Sequence, residues 1–259
     1  MKMRSLATIF CLMTAILAFG LSAQPAAAEK KPKQTAADSG VYKTKQDAPV
    51  TPARPEDLKN LLAQMNIAAK AFKTAQADFE WDQYQLVVNE TDVQKGQMYL
   101  RRTEKGIDAA LSITSPAPKQ VLFKDGLVSL YQPKIDQVTE HAAGGNRADV
   151  EAFMSLGFGA SGDDLQKSYD VKMEGWQTVT GSKTAKLDLT PKDAKLQSSL
   201  KKIVLWIDPA RSLAVQQQFL EPSGDYRLAR YSNIRINGKL PDDAFKLKTK
   251  AHTKFVRAQ

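Results

Sequence analysis

Residues Lys95–Pro133 read KGQMYLRRTEKGIDAALSITSPAPKQVLFKDGLVSLYQP. Four short β-type runs lie in this stretch, interrupted by Ser115-Pro116-Ala117-Pro118 and by Asp125-Gly126. Asp-Gly between apolar runs is a strong hairpin signal, because a type I′ turn needs positive φ at both central residues. Side chains alternate along a strand, so Met98, Leu100 and Arg102 share one face while Gln97, Tyr99 and Arg101 share the other. An arginine therefore ends a run whose other face members are apolar. Either its stem covers apolar surface at the sheet rim, or its guanidinium holds something across that surface.

Upstream, Pro55, Glu56 and Asp57 suit the first turn of a helix. Leu58, Leu61, Leu62, Met65, Ala68, Ala69 and Phe72 then follow helical spacing to about Lys73. Phe79–Val88 reads as extended. Downstream, Gln137–His141 is a short strand, residues 142–146 form a loop, and Asp149–Leu156 is helical, with Val150, Phe153, Met154 and Leu156 as its apolar side. Ser161 is a good N-cap for a second short helix through Leu165. Strands resume at Tyr169–Met173, Thr178–Thr180, Thr184–Leu189, Lys201–Asp208, Ser212–Leu220 and Tyr226–Ile236. Short turns join successive strands and no βαβ rhythm is present, so the sheet should be antiparallel. The expected fold class is mainly β (α+β): a curved antiparallel sheet or incomplete barrel of roughly eleven strands, with helices over its open face.

The first 28 residues resemble a secretory signal, with Lys2 and Arg4, an apolar Leu6–Leu21 and Ala26-Ala27-Ala28 before Glu29. The apolar segment is short for a membrane span of about 20 residues. Cleavage there would remove Cys11, the one cysteine, and leave a chain without thiols, which suits an oxidising compartment such as the periplasm. Residues 29–55 are rich in Lys, Pro, Ala, Thr and Gln and read as a disordered linker, leaving 56–259 as the folded domain.

The formal charge of +9 falls to +7 without residues 1–28, and residues 29–55 carry six bases against three acids. The basic balance is thus partly a property of the tail. Bases and acids intersperse elsewhere, which argues against nucleic acid as a partner. Two histidines, His141 and His252, stand without Cys or His at ligand spacing, so neither a metal nor another cofactor is expected. Gly157-x-Gly159-x-x-Gly162 matches a dinucleotide fingerprint by letter but lacks the βαβ frame. No nucleophile elbow or P-loop is present, and the chain reads as a non-enzyme.

The apolar residues offer more. The Met98/Leu100 face continues through Leu111, Ile113, Val121 and Phe123, and Trp81, Leu205, Ile207 and Phe219 are further candidates for the same interior. An ordinary packed core accounts for any one of them. A curved sheet of this size, however, encloses more volume than a few helices fill, so an apolar cavity is expected.

Gly96–Arg102 (GQMYLRR), Val121–Gly126 (VLFKDG), Leu130–Pro133 (LYQP), Leu189–Lys192 (LTPK) and Tyr231–Leu247 (YSNIRINGKLPDDAFKL) resemble, in order and spacing, the periplasmic outer-membrane lipoprotein carriers of the LolA type. The resemblance extends over about residues 56–256. It implies a half-barrel with an α-helical lid over a hydrophobic cavity. It also implies a cargo of lipoprotein acyl chains, an inner-membrane lipoprotein-releasing ABC transporter as donor, an outer-membrane lipoprotein acceptor, and a monomer. Arg102 matches the family's arginine that holds the lid closed. Thr103 stands where the family often has proline, which leaves open whether Arg101 or Arg102 turns inward. The alternatives are a periplasmic carrier or sensor of another amphiphile, such as a glycolipid or isoprenoid, and a secreted hydrolase.

Overall fold

In the computed structural model, residues 48–144 and 147–258 are described. The segment read as a signal peptide (1–28) and most of the linker (29–47) lie outside these residues. Helix α1 (Pro55–Ala71) is followed by β1 (Thr74–Gln85), β2 (Glu90–Thr103), β3 (Gly106–Ser115), β4 (Lys119–Lys124), β5 (Leu127–Gln132) and β6 (Gln137–Ala142). Two helices, α2 (Arg147–Met154) and α3 (Gly162–Ser168), interrupt the strands. Then come β7 (Tyr169–Val179), β8 (Ser182–Pro191), the short α4 (Ala194–Gln197), β9 (Lys202–Asp208), β10 (Leu213–Leu220), β11 (Tyr226–Ile236) and β12 (Lys254–Arg257).

All twelve strands form one sheet in the order β12-β6-β5-β4-β3-β2-β1-β11-β10-β9-β8-β7. Consecutive strands pair as antiparallel neighbours from β1 to β6 and again from β7 to β11. The chain passes from β6 to β7, at the opposite edge, through α2 and α3, which therefore lie across the sheet. Residues 237–253 lead back from β11 to β12 beside β6. The β4–β5 hairpin turns on Asp125 (φ 51°) and Gly126 (φ 77°), the two positive φ values that a type I′ turn requires. Ser161 caps α3, its hydroxyl accepting from the Asp164 amide at 3.0 Å.

Several local readings are corrected. Leu86, Val87 and Val88 leave the strand at the β1–β2 tip, where Val87 is 94% exposed. The β-branched Val87 and Val88 suggested a strand, but the register closes at Gln85–Glu90. Tyr169–Met173 and Thr178–Val179 belong to one strand, β7, joined through a bulge between Met173 and Gly175, while Thr180 (φ 48°) lies in the turn that follows. The sheet is not wholly antiparallel, because β12 runs parallel to β6. Residues 48–54, read as part of the linker, are docked: Thr51 and Trp176 exchange backbone hydrogen bonds at 2.8 and 2.7 Å, which covers the free edge of β7.

Two apolar clusters share the concave side. Under α1, Leu61, Leu62 and Met65 pack on Leu187, Leu205 and Ile207, all almost fully buried. Beside it, Phe79, Met98, Leu100, Ile113 and Phe123 pack with Val150 and Phe158.

Candidate functional site

The second cluster is hollow. A cavity of about 110 Å³ lies between the strands and residues 153–158. Of the expected cavity residues, Trp81, Met98, Leu100, Leu111, Val121 and Phe219 line it, and Phe153, Met154 and Leu156 form its cover. The structure adds Ala109, Phe158, Ala229, Gln217, Arg227 and Tyr231. Phe153 packs on Phe219 with ring centroids 5.3 Å apart, and Phe158 meets Tyr231 edge-on at 4.8 Å.

Five expected residues stand elsewhere. Leu205 and Ile207 face the concave side but are sealed by α1 and completely buried in the neighbouring cluster. Ile113, Phe123 and Val150 belong to the hollow cluster's packed part, each about 1% exposed. The Phe79 ring lies against Gly96 beside Ile113, filling the space that would otherwise open there. For the four strand residues the reason is shared: strand alternation fixes a face, while the covering element determines whether that face is packed or open. Val150 is in α2 itself and packs into the closed part of the cluster.

Arg102 lies on the Met98/Leu100 face. Its Nη1 donates to the Ala69 carbonyl at 2.7 Å and its Nη2 to the Gly159 carbonyl at 3.2 Å. Ala69 is in the last turn of α1, where unsatisfied carbonyls and the negative end of the helix dipole favour a cation. The guanidinium also sits 5.6 Å from the Phe72 ring centroid. One planar fork thus joins the end of α1 to the loop that follows α2. Arg101 points the other way, with Nε and Nη2 donating to Asp108 Oδ2 at 2.9 and 2.7 Å and the guanidinium 4.2 Å over the Phe245 ring.

The loop after α2 is held at two further points that the sequence reading missed. The Ala214 amide donates to the Gly157 carbonyl at 2.8 Å. Gln217 Nε2 donates to the Leu156 carbonyl at 2.5 Å, while Gln217 Oε1 accepts from the Tyr231 hydroxyl at 2.9 Å. Burial pushes the Tyr231 hydroxyl's pKa far up, so it remains a donor. Gly157 and Gly159 have φ of 80° and 87°, a region that favours glycine. A Cβ at Gly157 would meet the Gln217 amide and the Ala214 methyl, and one at Gly159 would meet the Phe72 ring. The Gly-x-Gly that matches a nucleotide motif by letter therefore lets this loop approach β10 and α1. A signal for Gln217 existed, since it stands two residues before Phe219 and shares its face.

On the outer side of the same wall, Phe153 and Leu156 border a groove of about 630 Å³ that also touches Arg102, Lys167 and Lys192. One layer of side chains separates cavity from groove.

Sheet and cover together enclose an apolar cavity in a curved, half-barrel fold. The family model described as outer membrane lipoprotein carrier protein LolA matches residues 70–248, and the chain belongs to that family. Among solved structures, an uncharacterized conserved protein from Thermus thermophilus is similar at 11% identity, with 77% of this chain and 98% of that chain covered and a TM-score of 0.51. MucB is similar at 16% identity over 80% of this chain and 67% of that one, with a TM-score of 0.49. In the Pseudomonas aeruginosa MucA/MucB complex the identity is 16%, the TM-score is 0.46 and 74% of this chain is covered. There the chain spans 61% of the length of the chain it matches. No curated protein matches the chain. Among the described residues, no helix is long and apolar enough to cross a membrane.

Proposed function

We propose that the protein is a periplasmic carrier of lipoproteins. It takes their acyl chains from an inner-membrane lipoprotein-releasing ABC transporter and passes them to an outer-membrane acceptor. The observation that carries this reading is the apolar cavity under a cover tied down by Arg102. Removing a lipid chain from water is worth about 0.8 kcal/mol per methylene, or roughly 10 kcal/mol for a long chain, so a carrier must enclose it. With the cover down, the cavity's space of about 110 Å³ is no larger than one that holds benzene in an engineered protein, about 150 Å³. An acyl chain is therefore admitted only when residues 153–160 lift. Three hydrogen bonds hold the cover, from Arg102 to Gly159, from the Ala214 amide to Gly157 and from Gln217 to Leu156. At about 0.5–3 kcal/mol each they oppose that lifting by less than acyl burial favours it. The cover accordingly closes an empty carrier and yields to cargo.

The test is transfer. Purified protein is incubated with spheroplasts, and the supernatant is assayed for lipoprotein in a soluble complex with it. Release into solution, with displacement of a naphthalene sulfonate dye from the cavity by acylated but not unacylated peptide, is the expected result. A folded protein that takes up no dye and releases no lipoprotein overturns the proposal.

A further inference from the structure

Gln217 is an anomaly in this cavity. It is an amide 4% exposed, set in β10 between two further glutamines, and it lines, among mostly apolar side chains, the space proposed to receive acyl chains. Both ends of the amide are used in the closed protein, the oxygen by Tyr231 and the nitrogen by the Leu156 carbonyl. Leu156 belongs to the cover. When the cover lifts, the Leu156 carbonyl leaves, whereas Tyr231, on β11 beside β10, stays. The Gln217 N–H is then a buried donor facing hydrocarbon, and buried donors without acceptors are costly and rare.

We infer that Gln217 is a ligand-recognition residue whose Nε2 passes from the Leu156 carbonyl to a carbonyl of the bound ligand, so that the cavity selects chains joined through an ester or amide over plain alkyl chains. This rests on the carrier reading and narrows its ligand class. The same exchange explains the placement of a polar group there. A carbonyl-bearing chain releases the cover at no loss of hydrogen bonding, while a bare alkyl chain leaves the amide unpaired. Gly157, packed on the Gln217 amide, keeps the closed bond short.

The experiment compares two lipids differing in one carbonyl, palmitoyl lysophosphatidylcholine and its hexadecyl ether counterpart. Both are titrated below micelle formation against the bound dye. The wild-type protein is expected to bind the ester about tenfold more tightly than the ether, the effect of one neutral hydrogen bond. Gln217→Met, apolar and of similar length, should bring the ratio near one by weakening the ester, with ether affinity held or raised. That substitution leaves the Tyr231 hydroxyl without its acceptor. The pair Gln217→Met with Tyr231→Phe removes this penalty and should give the same ratio from a more stable protein. Equal wild-type affinities, or an ester preference that survives in either variant, overturn the inference and leave the carrier reading standing. If neither lipid displaces dye from wild-type protein, the carrier reading falls and this one falls with it.

Discussion

One sheet carries two interiors, and what differs between them is the cover. Under α1, seventeen residues of amphipathic helix set Leu61, Leu62 and Met65 onto Leu187, Leu205 and Ile207, leaving no exposed area on those three strand residues. Under α2, eight residues of helix and a loop with two glycines at positive φ leave a cavity. The strand residues facing inward are mostly apolar on both sides, with Gln217 and Arg227 as the polar members at the cavity. A sheet face thus becomes core or binding site according to the length and rigidity of what lies on it, which suits a carrier that must stay folded on one side while opening on the other. Matched truncations should break the symmetry of the strands. Leu205→Ala is expected to cost about 2–5 kcal/mol in denaturant unfolding, because a fully packed site cannot collapse around the missing methyls. Leu111→Ala, at the cavity wall and partly exposed, should cost about 1 kcal/mol, having less buried area to lose. Equal costs would mean that the cavity half is packed as tightly as the other.

The next largest effect separates two adjacent arginines. Arg102→Leu removes both hydrogen bonds between α1, β2 and the loop after α2. Amide exchange in residues 155–160 should rise roughly tenfold, the population change for about 1.4 kcal/mol, with little change in β9 or in α1 before its last turn. Lysine at this position keeps the charge without the fork and should fall between. Arg101→Leu should do the reverse. It leaves the Asp108 carboxylate, 5% exposed, without its partner, so global stability should drop by about 1–3 kcal/mol, discounted for the exposed arginine, with the cover's exchange unaltered. Faster exchange of the cover from Arg101→Leu and none from Arg102→Leu would reverse the strand's two faces.

These pairs also mark how far the sequence could be read. The alternation Met98-Leu100-Arg102, the Asp125-Gly126 turn and the Ser161 cap depend on neighbours within a few residues, and the structure has all three as expected. Asp108 as partner to Arg101 was within reach, since a tight β2–β3 turn places them opposite one another. What stayed hidden depends on chain segments far apart. Nothing local distinguishes Leu205 from Leu100; α1 lies on one and the cover on the other. Gln217 sits in a run of three glutamines that looks solvent-facing, yet residues 213–218 are all buried because both faces of β10 are covered. Val87 and Val88 have strand character, and only the β1–β2 register puts them at an exposed tip. The lysine- and proline-rich composition around residues 48–54 hid a segment whose anchor, Trp176, lies in β7.

That segment belongs to the packed half, and it supplies the smallest predicted effect. The Asp57 carboxylate accepts from the Arg54 amide, the Trp176 indole N–H and the Arg54 guanidinium, each at 3.0 Å. These bonds, the Arg54 amide foremost, hold its pKa down at about 2. The carboxylate therefore favours the ionised form in the folded chain more than in the unfolded one, where an aspartate titrates near about 3.9. A depressed acid contributes stability that is complete above the unfolded value and disappears as pH falls toward the folded one. Asp57→Asn should lower the melting temperature by a few degrees at neutral pH, with the gap closing between about pH 4 and 2. Other acids share the acid limb: hydrogen bonds also lower the pKa of Asp78, Asp136 and Asp243, while burial raises that of Glu221. The difference between the two curves isolates Asp57. If the curves stay parallel down to pH 2, the carboxylate does not fasten residues 48–54 and α1 to β7, and the packed half must owe its closure to the apolar face of α1 alone.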